Sequence, residues 1–304
     1  MNRPAAHAIA SPGRLKAWWT AARPPTLTIA MVPVLVGTAL AWHAGAAMHW
    51  VAAGVALCAA VLIQIGTNLY NDVGDYERGA DGADRLGPPR ASSLGWLAPA
   101  DVRRAAATSF GLAMVLGAYL VSIGGWPIFV IGIASVAAGI AYTGGPRPIA
   151  YTASGEFFVF VFFGLVATIG SYFLQAGRFS WASTAAGAMI GAFAAAVLVV
   201  NNYRDIESDR RSGKITLAVR IGYAATRVEF AALVLLPFAA LPLLAVLTGT
   251  GLRMLLPCAS LPIAAVLLRD LARAPVSPAL NPLLKRTAGL EFVFGLLVCA
   301  ALAL

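Results

Sequence analysis

Asn68-Leu-Tyr-Asn-Asp-Val-Gly-Asp-Tyr-Glu-Arg-Gly-Ala-Asp-Gly-Ala-Asp-Arg85 follows closely on the apolar run Val51–Leu62. If the apolar run is a helix that continues into the polar residues, Asn68, Asp72 and Asp75 fall at i, i+4 and i+7, on one helical face. Asp81 and Asp84 follow in a Gly-rich turn. Carboxylates packed this closely at the end of a membrane helix stay ionised only with cations beside them. The stretch therefore predicts a cation site at a helix end.

Composition sets the frame. The chain is 60% hydrophobic and 12% charged, with a mean hydropathy of +0.79. A soluble domain carries about a quarter charged residues, so an integral membrane protein is expected. The net charge of +9 then reads as inner loops facing anionic lipid rather than as a nucleic-acid surface. Cys58, Cys258 and Cys299 stand singly in apolar runs, which suggests neither a disulfide framework nor a thiolate metal site. The polar, basic residues 1–24 precede an apolar run too long for a cleavable signal.

A membrane span needs about 20 mostly apolar residues. Nine candidates are expected, at 26–44, 50–70, 105–123, 126–144, 155–175, 182–202, 225–248, 253–270 and 287–304. With the N-terminus inside, nearly every Lys and Arg falls on one side, and Arg178 and Arg253 are the exceptions. That asymmetry fixes the expected orientation. Trp42, Trp50, Trp126 and Trp181 mark the outer boundary. The inner connections are the long, polar ones, so chemistry is expected on the inner face. The expected organisation is a single domain, 1–304, with a cytoplasmic segment at 1–24 and a bundle of helices over 25–304.

A second acidic stretch, Asn201-Asn-Tyr-Arg-Asp-Ile-Glu-Ser-Asp-Arg-Arg-Ser-Gly-Lys214, closes the sixth span. Asn201, Asp205 and Asp209 lie at i, i+4 and i+8, again on one face. Of the 13 acidic residues, eight fall in the two stretches. Carboxylates with Asn oxygens are the hard donor set that Mg²⁺ takes. Arg210, Arg211 and Lys214 beside them suit a bound diphosphate. The plainer alternative is a solvated loop with helix caps. The resemblance of Asn68-x3-Asp72 to Asn201-x3-Asp205, and of Glu156-Phe-Phe-Val-Phe to Glu291-Phe-Val-Phe, hints at an internal repeat. Such repeats often place a site between halves. A third stretch, Tyr142-Thr-Gly-Gly-Pro-Arg147, sits at an inner helix end. Taken alone, Tyr142 reads as a belt tyrosine and Arg147 as inner-face charge.

In these residues the chain resembles the UbiA superfamily of intramembrane aromatic prenyltransferases, and within it the branch that prenylates 1,4-dihydroxy-2-naphthoate. The resemblance rests on Ala22-Arg-Pro24, Pro33-Val-Leu-Val-Gly37, the first acidic stretch with Asp84-Arg-Leu-Gly-Pro-Pro-Arg90, Tyr142–Arg147, Gly155–Gly164, Asn201–Asp209 with Gly213–Arg220, and Asn281-Pro-Leu-Leu-Lys285. It implies an all-α integral membrane protein of nine transmembrane helices around a central cavity, in the cell inner (plasma) membrane. It also implies transfer of a polyprenyl group from polyprenyl diphosphate, dependent on Mg²⁺ or Mn²⁺, with loss of CO₂ from the acceptor.

On that resemblance, Asn68, Asp72, Asp75, Asp205 and Asp209 would hold metal and diphosphate, with Asp81 and Asp84 as further metal candidates. Lys214, Arg147, Arg210, Asn201 and Arg23 would hold diphosphate. Tyr142 would face the cation or the acceptor, and Tyr142, Asp72 and Asp205 are the expected catalytic residues. Many superfamily members space the first two aspartates by four, whereas Asp72 and Asp75 are three apart. Which of Asp75, Asp81 and Asp84 completes the first site stays open. The other readings are a different acceptor, 4-hydroxybenzoate or homogentisate, and a cation or proton transporter built on the paired carboxylates.

Overall fold

The computed structural model describes residues 12–80 and 86–304. Asp81 and Asp84 lie outside the described residues. The elements are helical throughout. A short helix, α1 (Arg14–Ala22), ends at Arg23, whose backbone is left-handed (φ 53°, ψ 62°), an uncommon conformation for a residue other than glycine. Then follow α2 (Leu27–His43), α3 (Trp50–Glu77), α4 (Pro99–Thr143), α5 (Gly155–Val159), a π-helical stretch (Phe160–Val166), α6 (Ala167–Ala176) and α7 (Trp181–Ser212). After them come α8 (Leu217–Ala239), α9 (Leu241–Thr248), α10 (Leu261–Arg273) and α11 (Asn281–Ala303).

Eight helical runs among the described residues are long and apolar enough to cross a membrane, where nine separate spans were expected. The difference lies in α4, which joins the expected spans 105–123 and 126–144. Its 45 residues would run about 68 Å if straight, over twice the hydrocarbon thickness of about 30 Å. It is not straight. Gly125, at φ 64° and ψ −153°, breaks the helical backbone. A Cβ on Gly139 would sit 3.3 Å from the Phe110 ring, although a straight helix would separate the two by about 43 Å. The run therefore doubles back on itself at Gly125.

Packing between runs depends on small residues, as in other membrane bundles. Gly164 of the π-helical stretch abuts Gly187 and Gly191 of α7 backbone to backbone. The widened turn of a π-helix marks this contact. α7 is the most enclosed of the long runs, and its Phe193 packs edge-on against Phe238 and at a tilt against Phe294.

Helices α3 and α7 both continue beyond their apolar runs, to Glu77 and Ser212. Their polar ends thus stay helical, and helical spacing decides which acids face inward.

Candidate active site

The polar ends of α3 and α7 and the starts of α2 and α11 enclose a cavity of about 570 Å³. One end is lined by Asn68, Asn71, Asp75, Asn201, Asn202, Asp205 and Asp209, with Arg23, Arg90, Arg204, Lys214 and Lys285. The other end is apolar, with Ile29, Ile63, Ala138, Phe158, Phe162 and Phe163. Five basic side chains against three carboxylates, among the described residues, leave this polar end suited to an anion.

On α3 the inward face differs from the expected one. Gln64, Asn68, Asn71 and Asp75 line the cavity, and Asp72 does not. At 100° per residue, Gln64, Asn68 and Asn71 lie within about 40° of Asp75, while Asp72 lies about 60° away on the opposite flank from Asn71. Asp72 is 1% exposed. Its two oxygens accept hydrogen bonds from the backbone N–H groups of Ala91 (3.1 Å) and Ser92 (2.9 Å). Asp72, expected to hold metal alongside Asp75, is outside the cavity lining, and its carboxylate pins the turn that follows Arg90.

Asp75 is the hub. Its carboxylate accepts from Arg90 (3.1 Å), Lys214 (3.2 Å), the Tyr151 hydroxyl (3.0 Å) and Asn71 Nδ2 (3.2 Å). Three connections between helices thus converge on one buried group. Lys214 also sits over the Tyr151 ring at 4.6 Å. Asn71 Oδ1 accepts from Arg23 and Arg90, both at 2.8 Å, and its amide donates to Thr143 as well. The left-handed backbone at Arg23 turns the chain sharply between α1 and α2, and the side chain it carries reaches Asn71. Asn68 donates to the Ala22 carbonyl and the Thr26 hydroxyl, tying α3 to the same corner.

On α7, Asn201, Asp205 and Asp209 all line the cavity, as their spacing predicts. Asp205 is gripped by its neighbour Arg204 through two bonds, at 2.8 and 2.5 Å. Arg204 also donates to Asn201 and Asn281. Asn281 donates to the Leu86 carbonyl, which carries the network back to the first acidic connection. Glu207 points outward and pairs with Arg210, both about half exposed.

Tyr142 lines the cavity. Arg147 and Arg210, expected on the diphosphate, are exposed and outside its lining. Arg147 sits in the turn after α4, and Arg210 follows the outward face set by Glu207. Spacing arguments missed Asn71, Arg90, Tyr151, Arg204 and the pair Asn202–Glu156. Asn71 was visible as the residue four before Asp75. Arg90 and Tyr151 reach Asp75 from separate loops, which no local spacing reveals.

Among the described residues no three His, Cys, Asp or Glu converge as a ready metal site. The donor chemistry nonetheless fits Mg²⁺, which takes one or two carboxylates and fills its shell with water and phosphate. Asp75, Asp205 and Asp209, with Asn68, Asn71 and Asn201, are the side chains here able to supply such donors.

A model of the UbiA prenyltransferase family matches residues 30–278. A 1,4-dihydroxy-2-naphthoate octaprenyltransferase of Mycobacterium tuberculosis is 42% identical over 70% of this chain and 72% of its own length. Its namesake in Escherichia coli is 40% identical over 69% and 70%. The Mycobacterium leprae protein of that name is 36% identical over 94% and 96%. Among solved structures, a UbiA homologue from Archaeoglobus fulgidus bound to GPP and Mg²⁺ superposes with a TM-score of 0.66 at 13% identity, covering 95% of this chain and 100% of that one.

Proposed function

The chain belongs to the UbiA prenyltransferase family, and on that premise we propose that it transfers a polyprenyl group from its diphosphate to 1,4-dihydroxy-2-naphthoate. CO₂ is lost and demethylmenaquinol forms, for menaquinone biosynthesis. The observation that carries this reading is the two-ended cavity, which sets cations and carboxylates at one end against an aromatic, apolar wall at the other. The acceptor is the one for which the relatives of 36–42% identity are named.

The residues divide the work by position. Arg23, Arg90 and Lys214 hold the anionic diphosphate, and the Asp75 and Asn71 bonds keep these side chains aimed into the cavity. Asn68, Asn71, Asp75, Asn201, Asp205 and Asp209 are the proposed oxygen donors for Mg²⁺ or Mn²⁺, which when bound supplies charge stabilisation for the leaving diphosphate. Preorganised charge of this kind acts most strongly in a water-poor site. As the carbon–oxygen bond to diphosphate breaks, the allylic fragment becomes cationic, and water near it would divert the reaction. Phe158, Phe162, Phe163 and Tyr142 wall off that space and present electron-rich faces to the cation. The naphthoate ring then forms the new carbon–carbon bond. The prenyl tail lies along the apolar end.

The chain acts as a single unit in the cell inner membrane, with residues 1–24 and the acidic connections on the cytoplasmic side. The charge segregation along the sequence supports this orientation. The test is to supply purified protein with polyprenyl diphosphate, Mg²⁺ and carboxyl-labelled dihydroxynaphthoate. Labelled CO₂ should appear in step with prenylated product, and exhaustive chelation should stop both. Product that keeps the label, or full turnover after chelation, refutes the reading.

A further inference from the structure

Asn202 and Glu156 form a polar pair outside the Asp75 and Arg204 networks. Glu156, at the start of α5, is 6% exposed and Asn202, on α7, is 7% exposed. Asn202 Nδ2 donates to Glu156 Oε1 at 2.7 Å. The second carboxyl oxygen, Oε2, is enclosed and takes no hydrogen bond from the described residues. A buried carboxyl left half-satisfied is costly, so a role beyond packing is called for. Asn202 lines the cavity, as does Tyr142.

The bond settles which way the amide faces. Glu156 Oε1 accepts, so the NH₂ of Asn202 turns toward it and the carbonyl Oδ1 is left for the cavity. That oxygen receives no hydrogen bond from the described residues. A lone acceptor, fixed by a buried carboxyl, faces a space that the proposed function fills with a phenolic ring.

We propose that Asn202 accepts a hydrogen bond from a ring hydroxyl of the aromatic acceptor, and that Glu156 is the positioning residue that holds its amide. The proposal rests on the reading of the site as an aromatic prenyltransferase. The bond does two things. It selects acids that carry a hydroxyl at that position, and it lends electron density to the ring as the ring attacks the allylic carbon. No base is needed. The allylic fragment enters with the loss of diphosphate, the ring carboxylate leaves as CO₂, and its electron pair returns to the ring. No proton is released overall, so a neutral amide, which cannot take one, suffices.

The experiment measures binding to purified protein, without polyprenyl diphosphate, of 1,4-dihydroxy-2-naphthoate and of its two mono-hydroxy analogues. A neutral hydrogen bond is worth about 0.5–1.5 kcal/mol, so the wild type should prefer the dihydroxy acid over one analogue by roughly 2- to 12-fold. Asn202→Leu should erase that preference. Glu156→Gln offers the amide a donor as well as an acceptor, so it should weaken the preference and raise KM for the acceptor. KM for polyprenyl diphosphate should hold. The proposal is overturned if folded Asn202→Leu keeps the full preference, or if it loses affinity equally for dihydroxy and mono-hydroxy acids. Should Asn202→Leu not fold, Asn202→Ala, which also removes the acceptor, and Glu156→Gln carry the same comparison. If the wild type turns over a different phenolic acid, the assigned acceptor fails. The preference test then runs on that acid and its deoxy form.

Discussion

Asp75→Asn is expected to abolish turnover, and Asp72→Asn to spare most of it. The two residues are three apart on one helix and both are 1% exposed, yet they face different things. Asp75 meets Arg90, Lys214, Tyr151 and Asn71 at 3.0–3.2 Å. Neutralising it removes a negative charge from the polar end of the cavity and releases two cations from their set positions. Loss of one preorganised transition-state stabiliser costs about 10²–10³ in rate, or about 2.7–4 kcal/mol. Asp72 gives one oxygen to each of two backbone N–H groups. Asn keeps one of those oxygens and turns an NH₂ toward the other N–H, leaving a buried donor unpaired at a cost of about 1–3 kcal/mol of stability. Asp72 reaches the cavity only through the turn after Arg90, so turnover per folded molecule should stay within about tenfold. The assay is turnover normalised to the monodisperse fraction, with thermal unfolding in detergent alongside. A well-folded Asp72→Asn as inactive as Asp75→Asn would refute the helical-face reasoning.

Glu207→Gln should leave turnover within about twofold and stability within about 0.5 kcal/mol, because its ion pair with Arg210 is exposed and such pairs contribute little; normalised turnover and melting checks this. Gly164→Val should lower stability by about 1–3 kcal/mol, because its Cβ would meet backbone atoms of Gly187 and Gly191; a melting temperature equal to wild type would contradict the close-packing account. A cysteine placed at Ala46 should be labelled by an impermeant reagent from outside and one at Ser212 should not, in a background lacking Cys58, Cys258 and Cys299; the reverse pattern overturns the proposed orientation.

Much of this architecture was legible because apolar runs and charge asymmetry are local properties. The helices around 26–44, 50–70 and 182–202 follow from run length, and the inward set Asn201, Asp205 and Asp209 follows from spacing of four. The same logic misplaced Asp72, because spacings of four and three place residues near one face without saying where its centre lies. The centre is set by what the helix packs against, here the turn at Ala91 and Ser92. The turn at Gly125 falls between the expected spans 105–123 and 126–144, where Gly124-Gly125 interrupts the apolar run. Arg90 and Tyr151 were invisible as site residues because loops over 10 residues away in sequence deliver them to Asp75. The Glu156–Asn202 bond likewise joins two helices with no shared motif. In each case the missing information was tertiary packing, which overrides what a local pattern can encode.

The central claim is tested most directly by offering purified protein one polyprenyl diphosphate, Mg²⁺ and an equimolar panel of 1,4-dihydroxy-2-naphthoate, 4-hydroxybenzoate and homogentisate, and reading products by mass. The account predicts a dominant product equal in mass to dihydroxynaphthoate plus the prenyl group, less CO₂, and its absence with Asp75→Asn. A dominant prenylated 4-hydroxybenzoate that retains its carboxyl, or prenyl transfer by Asp75→Asn at the wild-type rate, would contradict it.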